Sequence, residues 1–292
     1  MLELLASPIG NLGDITLRVL EALRGCDAVY CEDTRRTLQL MNHFDIKKPL
    51  ISCHEHNEQS RAAEIIPRLQ RGEHIVYISD AGMPGISDPG AALIKACQDN
   101  DLPYTVLPGA SAVLMSVVLS GLPTEPFAFF GFLPRDGKAQ KERLKAIADW
   151  QHLAILYESP NRIRATLEKL LATLGDCEAA VLRELTKRHE DCVRGRLSAL
   201  MARYEEPPRG ECVIAVYCRR EAPPVDEKAL DALLYGAIER GLSLRDAVTE
   251  TAALLNLPRK QVYARALEIT SIDHRHDSGP VRHVQHDKPP DK

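Results

Sequence analysis

Apolar runs of strand length alternating with amphipathic stretches of helix length predict an α/β protein, arranged as two successive α/β domains over residues 1–120 and 121–220. Two breaks delimit them. One is the turn-rich Gly121-Leu122-Pro123-Thr124-Glu125-Pro126; the other is Glu221-Ala222-Pro223-Pro224, read as a linker because paired prolines cannot continue a strand ladder. Beyond it only helical periodicity remains, so a small helical domain is expected over 225–270 and a polar, disordered tail over 271–292.

In the first domain the expected strands are Glu3 to Ser7, Ala28 to Glu32, Leu50 to Cys53, Ile75 to Asp80 and Tyr104 to Leu107. Helices are expected at Thr16 to Leu23 behind a cap at Asp14, then at Thr34 to His43, Gln59 to Gln70, Ala91 to Gln98 and Ser111 to Leu119. Strands joined by helix-length crossovers pair in parallel and need helices over the sheet. Ligands then gather beyond the strand carboxyl ends.

The second domain offers strands at Phe127 to Leu133, Leu153 to Glu158, Ala179 to Glu184 and Glu211 to Cys218. Its helices fit Ala139 to Trp150, Arg162 to Leu174 and Ser198 to Tyr204. The closely spaced Phe127, Phe129, Phe130 and Phe132 are expected to pack in the core rather than stack on bases. In the C-terminal stretch, Asp226 to Ile269, the turn at Leu257-Pro258 fits a helix-turn-helix; three short helices around a small core give the same string. His274, His276, His283 and His286 lie among polar residues without the fixed spacing of a metal site.

Composition narrows the function. Hydrophobic residues at 45% and charged residues at 27% exclude wholesale disorder, collagen-like repetition and a coiled coil. With 37 basic and 41 acidic residues the net charge is -4, so no general field draws the chain onto nucleic acid or membrane. The middle segment, 121–220, is the basic one, with 17 basic and 14 acidic side chains. No apolar run could span a bilayer and no signal segment opens the chain, so a cytoplasmic location is expected. The eight cysteines contain no Cys-x-x-Cys pair and read as reduced, buried thiols rather than a disulfide framework or zinc site.

The chemistry concentrates in loops after the strands. Asp80-Ala81-Gly82-Met83-Pro84-Gly85-Ile86-Ser87-Asp88-Pro89-Gly90 holds three glycines and two prolines, a composition that fixes an irregular backbone path where main-chain groups can face a ligand. Ser7-Pro8-Ile9-Gly10-Asn11-Leu12-Gly13 and Pro108-Gly109-Ala110-Ser111-Ala112 follow neighbouring strands and converge on the same edge. None matches the dinucleotide or P-loop fingerprint, which disfavours a nicotinamide dehydrogenase or a P-loop nucleotidase.

These loops, with YESPNR from Tyr157 and RELTKRHE from Arg183, resemble the tetrapyrrole methylase superfamily. EDTRRT from Glu32 and SCHEHNE from Ser52 are similar to its branch of small-subunit ribosomal RNA methyltransferases. The resemblance covers residues 1 to 220 and extends to the C-terminal helices. It implies two α/β domains of the tetrapyrrole methylase type with an S-adenosylmethionine cleft between them, in a homodimer. It also implies methyl transfer to the ribose 2′-oxygen of a decoding-centre cytidine in 16S rRNA of the small ribosomal subunit. Carried over by position, it sets Ile9, Ala81, Gly82, Met83, Ile86, Ser111, Ala112, Tyr157, Glu158 and Leu185 against the cofactor. The chain departs from the commoner Gly-Gly-Asp-Pro pattern in having Ala81-Gly82-Met83-Pro84, with no carboxylate at the third position.

A ribose hydroxyl is a poor nucleophile and must give up its proton as it attacks. Glu184, Lys187 and His54 are the candidates, with His189 beside them; solvated loops and a helix cap at Asn57 explain the same clusters. Basic residues at 162, 164, 183, 187, 188, 194 and 196 offer a face for RNA phosphates, as do Arg35 and Arg36. Two other readings stay open: a methyltransferase acting on a small molecule such as a tetrapyrrole, and a non-catalytic RNA-binding assembly factor.

Overall fold

Short runs such as Leu-Glu-Leu-Leu and Ile-Val-Tyr-Ile are buried nearly throughout, the signature of parallel strands covered on both faces. In the computed structural model, which describes residues 1–219, 227–255 and 257–276, they form a parallel sheet. Its strands are β1 (Leu2–Leu5), β2 (Ala28–Cys31), β3 (Leu50–Ser52), β4 (Ile75–Ile78) and β5 (Tyr104–Leu107), in the order β3-β2-β4-β1-β5. One face is covered by α1 (Leu17–Gly25) and α2 (Thr34–His43), whose Val19, Leu23 and Met41 pack on Leu5, Val29 and Val76. The other is covered by α3 (Glu58–Gln70) and α4 (Ala91–Asp99), which set Ile65, Leu69 and Leu93 against Leu2, Leu4 and Tyr77. Each such side chain contributes on the order of 1.5–3 kcal/mol by leaving water.

The second sheet is mixed. After α5 (Ala112–Ser120) come β6 (Phe127–Phe132), α6 (Gly137–Trp150), β7 (Leu153–Glu158), α7 (Ile163–Leu174), β8 (Glu178–Arg183), β9 (Asp191–Arg196), α8 (Leu197–Arg203) and β10 (Cys212–Tyr217). The order is β6-β7-β10-β8-β9, with β6 and β7 parallel and the other pairs antiparallel. Apolar α5 packs Val113 and Val117 on one face, against Ile155, Leu182 and Val213. The helices α6, α7 and α8 cover the other.

Four expectations change. The strand β9 was not foreseen, because Asp-Cys-Val-Arg-Gly-Arg is a polar edge strand with one neighbour. The phenylalanine strand is also an edge, and Phe127 and Phe132 are 38% and 52% exposed rather than buried. Helix α1 is capped by Thr16, whose hydroxyl accepts from the Val19 amide, while Asp14 belongs to a preceding 3-10 turn. The cysteines are not all reduced: Cys177 and Cys218 form a disulfide, since the pairing of Tyr217 with Glu178 brings the next residues outward face to face. The other six are free thiols.

A separate unit begins after Arg219. Its helices α9 (Glu227–Glu239), α10 (Leu244–Leu255) and α11 (Arg259–His276) enclose Leu230, Leu234, Val248, Ala252, Val262 and Ile269. Arg265 grips both oxygens of Asp231 at 2.8 Å. The backbone of α11 stays helical to His276, past the boundary expected at 270; the proline linker and the tail from 277 lie outside the described residues. Among the described residues no helix is long and apolar enough to cross a membrane, and no cluster of three or more His, Cys, Asp or Glu could hold a metal ion.

Candidate functional site

The loops after β1, β4 and β5 meet at the carboxyl edge of the first sheet. Ser7 and Gly82 exchange backbone hydrogen bonds at 3.0 Å in both directions, and the Ser79 hydroxyl donates to the Gly82 carbonyl at 2.6 Å. Gly82 has φ +80, a region that favours glycine, and a Cβ there would stand 3.3 Å from Ile9 Cγ2. Gly109 passes so close to Ala6 that a Cβ would lie 2.6 Å from the alanine methyl. The far end of the glycine-rich loop is tied down by Glu58, whose Oε1 accepts from Gly90 N at 2.7 Å and Ala92 N at 2.9 Å, capping α4.

From the second sheet, the antiparallel register sets the start of β10 beside the ends of β7 and β8, with Cys212 opposite both Glu158 and Arg183. Tyr157, Glu158, Glu184 and Glu211 therefore gather at one edge. With the first-sheet loops they enclose a cavity of about 610 Å³, within the range of small-ligand sites.

Of the residues singled out from sequence, Ile9, Ala81, Gly82, Met83, Ile86, Ser111, Ala112, Tyr157, Glu158, Glu184 and Lys187 line this cavity. Leu185 does not; it is 6% exposed and packs in the layer that includes Ile9, Val113 and Val213. His54 is also absent from the lining: its amide donates to Asn57 Oδ1 and its ring stacks edge-on with His56. Asn57 stands at the head of α3 without capping it, its side chain turned back on the loop. Arg36 and Thr37 line a smaller cavity of about 200 Å³ beside Ser7 and Asp80.

Sequence reasoning missed Ser87, Asp88, Phe132, Ser159, Pro160 and the stretch Gly210 to Val213. Asp88 and Ser87 had a signal, since they belong to the glycine-rich loop itself. Glu211 had none, for its place depends on β10 entering the sheet between β7 and β8.

Four carboxylates and one ammonium line the cavity. Glu158 is buried, accepting from Ser159 N at 2.8 Å and Thr166 Oγ1 at 2.7 Å, with Arg162 Nε at 3.4 Å. Lys187 Nζ donates to Glu184 Oε1 at 2.9 Å and Glu211 Oε2 at 3.0 Å. That hydrogen bond holds the Glu184 carboxyl below its usual range against the opposing effect of burial. Burial pulls the Lys187 ammonium down, but its two carboxylate bonds win and it stays a firm cation. Tyr157 is pushed up to about 12, by burial first and then by Asp88 and Glu211; Phe129 and Phe132 meet its ring edge-on at 4.7 and 5.6 Å. Asp88 is raised to about 6, chiefly by burial and further by Glu32 and Asp80. Excess negative charge beside apolar and aromatic walls suits a ligand with a cationic centre and a flat ring, and repels a phosphate.

The expected basic face is largely engaged internally. Arg162, Arg183, Arg194 and Arg196 donate to backbone carbonyls of the same unit, and Lys187 is held by its two carboxylates. Arg164 and Arg188 are exposed.

Residues 1–201 match the family described as Tetrapyrrole (Corrin/Porphyrin) Methylases, and residues 224–270 match the RsmI C-terminal HTH domain. The chain is 41% identical over 273 residues to ribosomal RNA small subunit methyltransferase I of Synechocystis sp., spanning 92% of this chain and 98% of that protein. It is 38% identical over 270 residues to the protein of that name from Bacillus subtilis, covering 90% of this chain and 92% of the relative. Among solved structures, diphthine synthase superposes with a TM-score of 0.60 at 18% identity, over 75% of this chain and 90% of that one. Uroporphyrin-III-C-methyltransferase from Thermus thermophilus gives 0.52 at 19% identity, over 74% and 93%. Both show a shared fold.

Proposed function

The chain belongs to the tetrapyrrole (corrin/porphyrin) methylase family, and from that premise we propose that it transfers a methyl group from S-adenosylmethionine to the ribose 2′-oxygen of a decoding-centre cytidine in 16S rRNA. The observation that carries this reading is the acid-rich, aromatic-walled cavity, whose charge and volume suit a sulfonium-bearing nucleoside. An RNA acceptor is supported by relatives that are called ribosomal RNA small subunit methyltransferases and align over nearly their whole length.

The donor, when bound, supplies an electrophilic methyl group on a positively charged sulfur. Ile9, Ala81, Gly82, Met83, Ile86, Ser111, Ala112, Tyr157 and Glu158 are proposed to hold it, with Leu185 backing the wall. The Ser7–Gly82 bridge and the Glu58 tie keep the glycine-rich loop in place. The carboxylates offset the positive charge and the apolar and aromatic wall orients the donor, so alignment rather than covalent chemistry supplies the acceleration. Of the groups weighed from sequence, Glu184 and Lys187 neutralise one another at the rim and His54 is not in the lining.

Because basic residues of the second sheet are largely tied internally, we infer that the substrate is the assembled small subunit rather than free RNA, and that the protein works in the cytoplasm. A homodimer is also proposed: Leu114 and Val118, one turn apart on α5, are 56% and 77% exposed. The test is to incubate the protein with labelled donor and either small subunits or a porphyrinoid, then digest and locate the label. Label in 2′-O-methylcytidine supports the reading; label in pigment, or none, refutes it.

A further inference from the structure

Resting on the donor reading above, the question is which group takes the hydroxyl proton. The cavity holds six titratable groups besides Asp88, and none is free to take the proton; the Cys212 thiol, pushed up to about 11 by burial, stays protonated. Glu158 receives two hydrogen bonds and faces Arg162. Glu184 accepts from Lys187 and from the Glu211 amide at 2.9 Å. Glu211 is paired with Lys187 and its side chain is 75% exposed. Lys187 is a cation and Tyr157 a phenol, neither with a site to accept a proton. Among the described residues lining the cavity, Asp88 is the carboxylate with neither a hydrogen-bond donor nor a cation on it.

We infer that Asp88 is the catalytic base, its carboxylate accepting the proton of the ribose hydroxyl as that oxygen attacks the methyl carbon. One oxygen lone pair forms the new O–C bond, while the C–S pair remains on sulfur, which becomes a neutral thioether. The O–H pair stays on oxygen, and the proton passes to an Asp88 Oδ, giving a neutral carboxylic acid. No further reactant is needed.

The surroundings favour that role. Asp88 sits in the glycine-rich loop between Ser87 and Pro89, beside Met83 and Ile86 in the wall proposed to meet the donor. The charged groups acting on it are Glu32 beyond β2 and Asp80 beyond β4, and Asp88 in turn raises the neutral phenols of Tyr77 in β4 and Tyr157 in β7. The two acids resist a further negative charge at Asp88, and burial does so more strongly, which sets its carboxyl near 6. A base poised there is mostly ionised at neutral pH and far more basic than an exposed aspartate.

The test compares the full-length protein with Asp88→Asn and Asp88→Glu. Single-turnover methylation of small subunits is followed across pH, donor binding is measured by calorimetry, and the Asp88 carboxyl is titrated by carbon NMR in donor-free protein. The wild-type rate should fall as pH drops through about 6. Asp88→Asn should be slower by roughly 10²–10⁴-fold at saturating donor without that acid limb, a loss of turnover that calorimetry separates from any weakening of donor binding by the missing charge. Asp88→Glu should recover part of the rate together with the limb, and it carries the comparison if the asparagine variant fails to fold. Undiminished turnover in both variants, or a carboxyl titrating near 3.8, would overturn the assignment. Failure of the wild-type protein to bind donor would overturn the cofactor reading instead, and with it this inference.

Discussion

Gly82 and Asp88 lie in one loop and are limited by different physics. Gly82 combines a positive φ with a Cβ direction that runs toward Ile9. We predict that Gly82→Val costs on the order of 1–3 kcal/mol in chemical denaturation and displaces Ile9, lowering donor affinity in calorimetry by more than about tenfold. Asp88 holds its proton more tightly folded than unfolded, so its contribution to stability is fully present below 3.8 and lost as pH rises through about 6. Asp88→Asn should therefore melt above wild type at about pH 8 and lose that advantage at about pH 4, a result scanning calorimetry can check. The three loops and most of their lining residues were legible from composition and resemblance. Asp88 was not singled out, because between a serine and a proline it reads as a turn residue, and only its neighbours in space raise its basicity. The pairing of Lys187 with Glu211, 24 residues away, left no local trace either.

Elements carried the clearest signal where burial is periodic. The first sheet and its crossovers were readable because its strands are short, predominantly apolar runs and its helices are apolar on one side. The second sheet was readable only in part: β9 hides its pairing in charged residues, and the phenylalanines of β6 look like core although their strand has a single partner. Glu58 shows how one element can hold another, since it opens α3 and caps α4. Removing it as Glu58→Ala leaves two amides without their acceptor, and we expect a loss of about 1.5–3 kcal/mol in urea unfolding. Slackening of the loop should raise the donor dissociation constant in the same variant. Restored stability in Glu58→Asp would show that carboxylate geometry, not chain packing, is responsible.

For the molecule as a whole, the separation after Arg219 leaves the entire cavity within the first unit. A protein comprising residues 1–219 should unfold cooperatively and bind donor with near-native affinity by calorimetry. Loss of donor binding would mean that the helical unit completes the site. Val118→Glu places a charge on the exposed side of α5 and should convert the proposed dimer to a monomer in light scattering without changing secondary structure. The succession of two separate sheets was legible because Gly121 to Pro126 interrupts the pattern. The interlocking of distant segments at the cavity was not, since it is a property of strand order.

That strand order also bears on how the chain acquires its shape during synthesis. All five strands of the first sheet have emerged by Leu107, whereas β7 and β8 lack the neighbour between them until Cys212–Tyr217 follows. The nascent polypeptide thus completes its amino-terminal layer early and carries a half-zipped second layer, with an unfilled slot, from the end of β8 at Arg183 until β10 begins at Cys212. Pausing just before that last strand would hold the ligand chamber open on one side, and the interval in which a chaperone can act is set there.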